Sequence, residues 1–449
     1  MASSSKVPSG RLSRFGSLAG LAGKVAGGML AEGARRMASG EKSSRLDLLL
    51  TPGNIKRLTD KLAHMRGAAM KLGQLLSMDA GDLLPPELSE MLARLRDNAN
   101  PMPPKQLTSV LRAELGNDWL QHFSDFEFKP IAAASIGQVH RARHDKGQPL
   151  AIKVQYPGVK QSIDSDVDNV ASLLRISGLL PAGMDYQPLL AEAKAQLQRE
   201  ADYQQEADYM MRFHAYLRDF PQYLVPTADT ELSTANLLVM QYVEGVPIES
   251  LQQQPQALRD RVVMHLFALF FKELFEFQLV QTDPNFANYR YNLSTEQLVL
   301  LDFGACRDYS AEFSSAYRLL FSAALSQHEA GVEQAMRQIG FFSQDIETAQ
   351  RERILQLVKL ACEPLQHDQP YDFGSSDLAQ RIREAGTALS MQHNYWHTPP
   401  ADAIFLHRKI GGLYLLAARL QTRVNVRSLL QPYLNQSEAS IAAATSAAQ

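Results

Sequence analysis

Gln281-Thr282-Asp283-Pro284-Asn285-Phe286-Ala287-Asn288, followed fourteen positions after Asn288 by Asp302-Phe303-Gly304, decides how this chain reads. Phosphoryl transfer of the kinase type needs one Asp to orient the attacking oxygen and an Asn five residues later for Mg2+. It also needs a second Asp that bridges metal and phosphates. Asp283, Asn288 and Asp302 occupy those three places. Tyr289 to Tyr291 and Leu298 to Leu301 read as strands around a turn from Asn292 to Gln297, which sets Asn288 beside Asp302. A lone Asp-Phe-Gly occurs often by chance, but with the upstream pair at these intervals coincidence becomes rare.

Working outward, Pro149-Leu150-Ala151-Ile152-Lys153-Val154 resembles the strand whose lysine contacts the α and β phosphates, so Lys153 is the phosphate-lysine candidate. Taken alone it would be a solvated edge lysine; its place ahead of the Asp283 cluster outweighs that. A lysine used this way needs a helix carboxylate. Gln198 to Glu206 lies in a strongly helical stretch and offers Glu200, Asp202 and Glu206. On a helix, residues 202 and 206 share a face while 200 points elsewhere, so one segment can serve two partners; the plain alternative is a solvated acidic face. Where a kinase carries a Gly-rich phosphate loop, this chain has Ile131-Ala132-Ala133-Ala134-Ser135-Ile136-Gly137-Gln138-Val139-His140. Backbone N–H groups of Ala132, Ala133 and Ala134 can still face phosphate, although their Cβ atoms narrow the approach, and Ser135 and Gln138 add polar side chains. Leu237 to Tyr242 reads as the strand leading to a hinge at Glu244-Gly245, and Met240 on it is a candidate nucleotide contact.

With Lys71-Leu72-Gly73-Gln74, these motifs resemble the UbiB/AarF atypical kinases, and more narrowly the branch tied to coenzyme Q biosynthesis. The likeness rests on that K-x-G-Q motif, the Ala-rich loop, and Lys153 followed by Gln155-Tyr156-Pro157-Gly158-Val159. It continues through Glu200-x-Asp202, Glu206, Asp283, Asn288 and Asp302-Phe303-Gly304. His407-Arg408-Lys409-Ile410-Gly411-Gly412 is similar too, less diagnostically. The resemblance implies an α+β, atypical protein-kinase-like two-lobed fold with an N-terminal helical extension packed over the active site. It implies ATP and Mg2+, the metal on Asn288 and Asp302. It also implies that the K-x-G-Q helix blocks a protein substrate, which makes Lys71 and Gln74 regulatory candidates with Glu200 and Asp202, and leaves Glu206 to Lys153. By periodicity alone, Lys71 is a polar position on a helix whose apolar stripe is Met65, Ala69, Leu72 and Leu76.

The departures matter as much. Thr282 stands where a protein kinase has the Arg that reads an activation-loop phosphate, and Asn285 replaces the Lys usual two places after the base. No Ala-Pro-Glu follows Asp302; Ser310 to Ser326 runs straight into an apolar helical pattern. ATP hydrolysis or a small-molecule acceptor is therefore favoured over protein phosphorylation.

Other signatures fail. Gly23-Lys24 has Leu18 and Val25 where a P-loop needs Gly and Ser or Thr. Asp164, Asp166 and Asp168 alternate like a calcium loop, but Asn169 and Arg175 stand where Gly and Glu belong. His393 and His397 lack an intervening Glu, so they read as a surface or core pair rather than zinc ligands.

The chain has 449 residues, 45% hydrophobic, with net charge −3 and two cysteines, Cys306 and Cys362. Two cysteines build no disulfide framework, which points to a reducing compartment, and the charge argues against nucleic-acid binding. No segment reaches the roughly 18 uncharged apolar residues of a membrane span. Val262 to Val280, interrupted by His265, Lys272, Glu273 and Glu276, is predicted to be the main buried helix of the larger lobe. The first 31 residues hold no acid but carry Lys6, Arg11, Arg14 and Lys24 opposite Phe15, Leu18, Leu21, Val25 and Met29, a pattern suited to an anionic membrane surface or to a disordered basic tail. A similar Val-Pro-x-Gly-x-x-Ser-Arg segment belongs to the family, so these residues are expected in the mature protein.

Expected boundaries are a basic segment at 1–46, a helical extension at 47–117, a small lobe at 118–243, a helical lobe at 244–436 and a disordered tail at 437–449. The expected function is an ATP- and Mg2+-dependent atypical kinase or ATPase supporting ubiquinone biosynthesis. It would be cytoplasmic and peripheral at the inner membrane, or at the matrix face of mitochondria in a eukaryote. Expected partners are adenine nucleotide, anionic lipid, and quinone-biosynthesis proteins or prenylated phenol intermediates. The alternatives are a nucleotide-binding pseudokinase that scaffolds or extracts lipid intermediates, and last an aminoglycoside-phosphotransferase-type kinase, which leaves the 47–117 extension unexplained.

Overall fold

Pro101, Pro103 and Pro104 punctuate the chain before the first described helix, α1 (Pro104–Leu115), where Pro104 supplies the fixed φ that suits a first turn. Gly116 ends it with φ +87°, a conformation that L side chains rarely adopt. The computed structural model describes residues 68, 101–176, 187–342, 346–392 and 400–434. Lys71, Gln74, the basic segment, His393, His397 and the C-terminal tail lie outside the described residues.

The described chain divides into two units. The first takes the residues up to Met211 together with Thr227–Tyr242, and the second takes Arg212–Pro226 and the chain from Val243 onward.

The first unit is built on an antiparallel sheet. It contains β1 (Phe123–Phe126), β2 (Ala132–Ala133), β3 (Gly137–His144), β4 (Pro149–Gln155) and β5 (Leu237–Gln241). The order is β1-β3-β4-β5, with β2 paired to β3. Because side chains alternate along a strand, the register assigns each residue to a face. Val154 pairs with Gln138 and Leu237, and Ile152 with His140 and Val239; this face packs on Leu107, Leu111 and Trp119. Leu107 and Leu111 on α1 are fully buried, and truncating either to Ala would cost about 2–5 kcal/mol. Lys153 pairs with Val139 and Leu238, and Ala151 with Met240, so these residues share the opposite face.

Helices α2 (Val159–Ile176), α3 (Gln187–Glu200) and α4 (Tyr203–Leu217) follow. The stretch from Gln198 to Glu206 is not one helix, contrary to its helical composition. Ala201 and Asp202 interrupt it, and Asp202 becomes the N-cap of α4, its Oδ1 accepting the Gln205 N–H at 3.3 Å. Asp164, Asp166 and Asp168 all lie within α2.

In the second unit, α5 (Gln256–Lys272) is buried along most of its length by Val262, Val263, Leu266, Phe267, Leu269, Phe270 and Phe271. It ends in a π turn, Glu273–Phe277, and Gln278 follows in the left-handed region at φ +50°. The buried helix therefore stops short of Val280: after Gln278 the backbone extends into β6 (Leu279–Gln281), whose pairing satisfies its polar groups as continued helix would have done. β7 (Tyr289–Asn292) and β8 (Gln297–Leu300) form a hairpin, and β9 (Cys306–Asp308) returns antiparallel to β6. Helices α6 (Ala311–Leu325), α7 (Glu329–Ile339), α8 (Thr348–Ala361), α9 (Leu378–Gln392), α10 (Ala401–Arg419) and α11 (Val426–Leu434) complete the unit. None of the helices among the described residues is long and apolar enough to cross a membrane.

Candidate active site

In the first unit, Lys153 is 8% exposed and Glu206 on α4 is 1% exposed, and Nζ lies 2.8 Å from each carboxylate oxygen. A buried ammonium and a buried carboxylate each lose hydration, and the two-oxygen grip is what makes the pair tolerable. The Lys153 ammonium also stands over the Tyr203 ring, 4.9 Å from its centroid. Beside the lysine, Met240 and Ala151 are 6% and 7% exposed, an apolar strip suited to a flat heterocycle. Ala151 was not singled out from the sequence; its facing position becomes visible only through strand register.

The Ala-rich segment folds as β2 and a tight turn, with the Ala134 N–H donating to Gly137 O at 2.9 Å. Ala132 and Ala133 are exposed. Gly137 is the residue that close approach requires: a Cβ there would lie 2.4 Å from Val154 O and 2.7 Å from Tyr203 Oη. Gln138 calls for a correction. Its register puts it on the sheet face opposite Lys153, where it is 1% exposed, accepts the Met102 N–H at 2.7 Å and lies 2.7 Å from His140 Nε2. Its side chain is committed to the core rather than to a nucleotide. The odd step between residues 138 and 153 along paired strands decides this.

The two acids of the E-x-D motif diverge. Ser135 Oγ donates to Glu200 Oε2 at 3.4 Å, tying the Ala-rich turn to the end of α3. Asp202 Oδ2 pairs with Lys160 at 3.2 Å while its other oxygen caps α4.

In the second unit, two ladders end at the same place. Gln281 pairs with Cys306, so the chain beyond β6 meets the chain before β9; Thr282 then donates to Ala305 O through its N–H at 3.2 Å and its hydroxyl at 2.7 Å. Leu300 pairs with Tyr289, and the Leu301 N–H donates to Asn288 O at 3.0 Å. Asp283, Asn288 and Asp302 are thus all delivered to the ends of β6, β7 and β8.

Each turn there is braced internally. Asp283 Oδ1 accepts the Asn285 N–H at 3.3 Å, Asn285 Oδ1 accepts the Ala287 N–H at 3.1 Å, and Asp302 Oδ1 accepts the Gly304 N–H at 3.1 Å. Phe303 is 1% exposed and packs 5.0 Å from Phe213 of α4, both within the second unit. Asn288 is 7% exposed, and its side-chain nitrogen has no hydrogen-bond partner among the described residues. A buried amide left incompletely bonded is costly, and either of its ends can be turned outward, so it fits an oxygen ligand for a hard cation. Among the described residues no three His, Cys, Asp or Glu side chains gather to hold a metal. Mg2+ commonly takes one or two protein oxygens together with substrate phosphates, and Asp302 with Asn288 suits that mode.

Behind this loop, Lys409 of α10 is 2% exposed and Glu273 is 1% exposed. Nζ lies 3.4 Å from Glu273 Oε2 and donates to Gln281 Oε1 at 3.2 Å and Tyr289 Oη at 2.7 Å. Burial pushes the Glu273 carboxyl up to about 7 against the pull of Lys409. Burial works against the Lys409 ammonium as well, but Glu273 and Tyr289 raise it above its ordinary range. The sequence offered Lys409 only as part of a weakly diagnostic motif, because nothing local shows that it is buried.

A model of the ABC1 atypical kinase-like domain matches residues 94–336. Over 434 residues the chain is 38% identical to the mitochondrial atypical kinase COQ8 of Saccharomyces cerevisiae, covering 95% of this chain and 85% of that one. It is 37% identical to the mitochondrial atypical kinase COQ8B of Rattus norvegicus, covering 95% of this chain and 81% of the relative. Among solved structures, the Rv3197–erythromycin complex from Mycobacterium tuberculosis superposes with a TM-score of 0.60 at 24% identity, covering 84% of this chain and 95% of that one. That last likeness is one of fold.

Proposed function

Because the chain belongs to the ABC1 atypical kinase family, we propose that it binds ATP with Mg2+ and cleaves the terminal phosphoanhydride, in support of coenzyme Q biosynthesis at a membrane surface. The observation that supports this reading is that the β6–β9 and β7–β8 pairings clamp the two short segments on which Asp283, Asn288 and Asp302 lie.

Each residue then has a role that its environment supports. Lys153, held by Glu206, presents a fixed positive charge to the α and β phosphates. Ala132, Ala133, Ala134 and Ser135 form the turn over the phosphates, and Met240 with Ala151 contacts the adenine. Asp302 and Asn288 hold Mg2+, which when bound neutralises charge developing on the β and γ phosphates. Asp283 orients the attacking oxygen, water in the hydrolytic case, and accepts its proton. Lys71 and Gln74 act as the gate, with Glu200 and Asp202 as its partners.

The short passage from Gly304 to Ser310, which is already the N-cap of α6, leaves no peptide-docking segment there. That supports hydrolysis or a small-molecule acceptor over a protein acceptor. Asp302→Asn removes a charge at the metal and should lower Mg2+-dependent ATP hydrolysis by about 100-fold or more. Equal rates for the two proteins would remove the enzymatic reading. Nucleotide-dependent thermal stabilisation without turnover would select the pseudokinase scaffold instead.

A further inference from the structure

The six residues from Asp283 to Asn288 lie between two strands that one side chain grips. Gln281 ends β6 two residues before Asp283, and Tyr289 begins β7 immediately after Asn288. The Lys409 ammonium donates to both, to Gln281 Oε1 at 3.2 Å and to Tyr289 Oη at 2.7 Å. Tyr289 Oη in turn lies 3.3 Å from Gln281 Oε1, so the entry and exit of the loop are closed through a single polar triangle. Three residues further along α10, on a neighbouring position of the same helical face, a Cβ on Gly412 would lie 2.4 Å from the Cβ of Pro284. Helix α10 therefore seats the loop twice: by hydrogen bonds at its ends and by direct contact at Pro284.

We propose that Lys409 is a positioning residue that sets the separation of Asp283 and Asn288, with Glu273 as its counter-charge and Gly412 as the seat of Pro284. The proposal rests on the metal-dependent nucleotide reading given above. Apolar packing of equal volume can match a buried ion pair in stability, but it has no direction. Two hydrogen-bond acceptors and one carboxylate around a single ammonium tie two strand ends to a helix terminus, which packing alone leaves adjustable. The carboxylate comes from the first residue of the π turn, a helix irregularity found disproportionately at functional sites.

The test uses the full chain. ADP affinity is measured by calorimetry in EDTA and in Mg2+, and kcat is followed alongside, for wild type, Tyr289→Phe and the charge-free pair Lys409→Met with Glu273→Gln. Tyr289→Phe deletes one hydroxyl and keeps the ring, so it preserves the fold should the double substitution fail to. In either folded variant the metal-free affinity should stay within about twofold, while the gain in affinity on adding Mg2+ shrinks and kcat falls about 10-fold or more. A residue that merely stabilised the core would not divide metal-dependent from metal-independent binding in this way. Full retention of the Mg2+ gain in both folded variants, or in Tyr289→Phe where the pair does not fold, overturns the proposal. Asp302→Asn is run beside them: if it hydrolyses ATP as fast as wild type, phosphoryl transfer is lost, and the calorimetry still decides the role of Lys409.

Discussion

Thr282 stands where a protein kinase carries an arginine, and its environment explains why no arginine is there. It is 1% exposed, and its hydroxyl and N–H both serve Ala305 O. A long cation at this position would have to leave that clasp. Asn285, in place of the usual lysine, has a similar local task in accepting the Ala287 N–H. A different residue-scale consequence concerns His407. The residue is exposed overall, but its ring stacks on Phe341 and the Tyr317 hydroxyl lies 2.8 Å from Nε2, and the desolvation of the ring lowers its hold on a proton. In the unfolded chain an imidazole takes up a proton below about 6.5. Below about 6.5 the unfolded state thus binds more protons, and stability falls as pH drops below that value while remaining whole above it. Denaturant unfolding at pH 7 and pH 5 should show a smaller drop in His407→Gln than in wild type; equal drops would contradict the assignment.

Among the elements, the join between α3 and α4 teaches most. Gln198-Arg199-Glu200-Ala201-Asp202-Tyr203-Gln204-Gln205-Glu206 has helical composition throughout, yet two carboxylates four apart on one face are not what the chain makes of it. Asp202 is spent as a cap, so Glu206 begins a new axis and reaches Lys153. Helical periodicity is indifferent to a break of this kind, because an Asp that can sit in a helix can also cap one. Asp202→Ala should lower stability by about 1 kcal/mol, most of it from the lost cap since the Lys160 pair is well solvated. Chemical denaturation with Asp202→Asn as the control checks this: the amide keeps a capping oxygen, and an equal loss in both would shift the cause to the ion pair. The π turn after α5 was equally hidden, since Glu273 in a helical pattern looks like a flaw in an apolar face rather than a buried partner for Lys409.

At the scale of the whole molecule, the basic residues Lys6, Arg11, Arg14 and Lys24 carry the membrane part of the proposal. Anionic liposomes should raise the ATP hydrolysis rate, and replacing those four residues with Gln should abolish the rise while leaving the rate without lipid unchanged. Equal stimulation of both proteins would rule that segment out as the lipid contact. The amino-acid sequence by itself determined the kinase-like architecture and singled out Asp283, Asn288, Asp302 and Lys153 as the site candidates, because these readings depend on spacing along single strands and one hairpin. Only the tertiary structure decided that Gln138 serves the core, that Ala151 accompanies Met240, that Asp202 caps a helix and that Lys409 underlies the loop. These depend on sheet faces and on pairings of residues up to 128 positions apart, as between Lys409 and Gln281. Side-chain direction and burial across such intervals arise from packing, which no local pattern encodes.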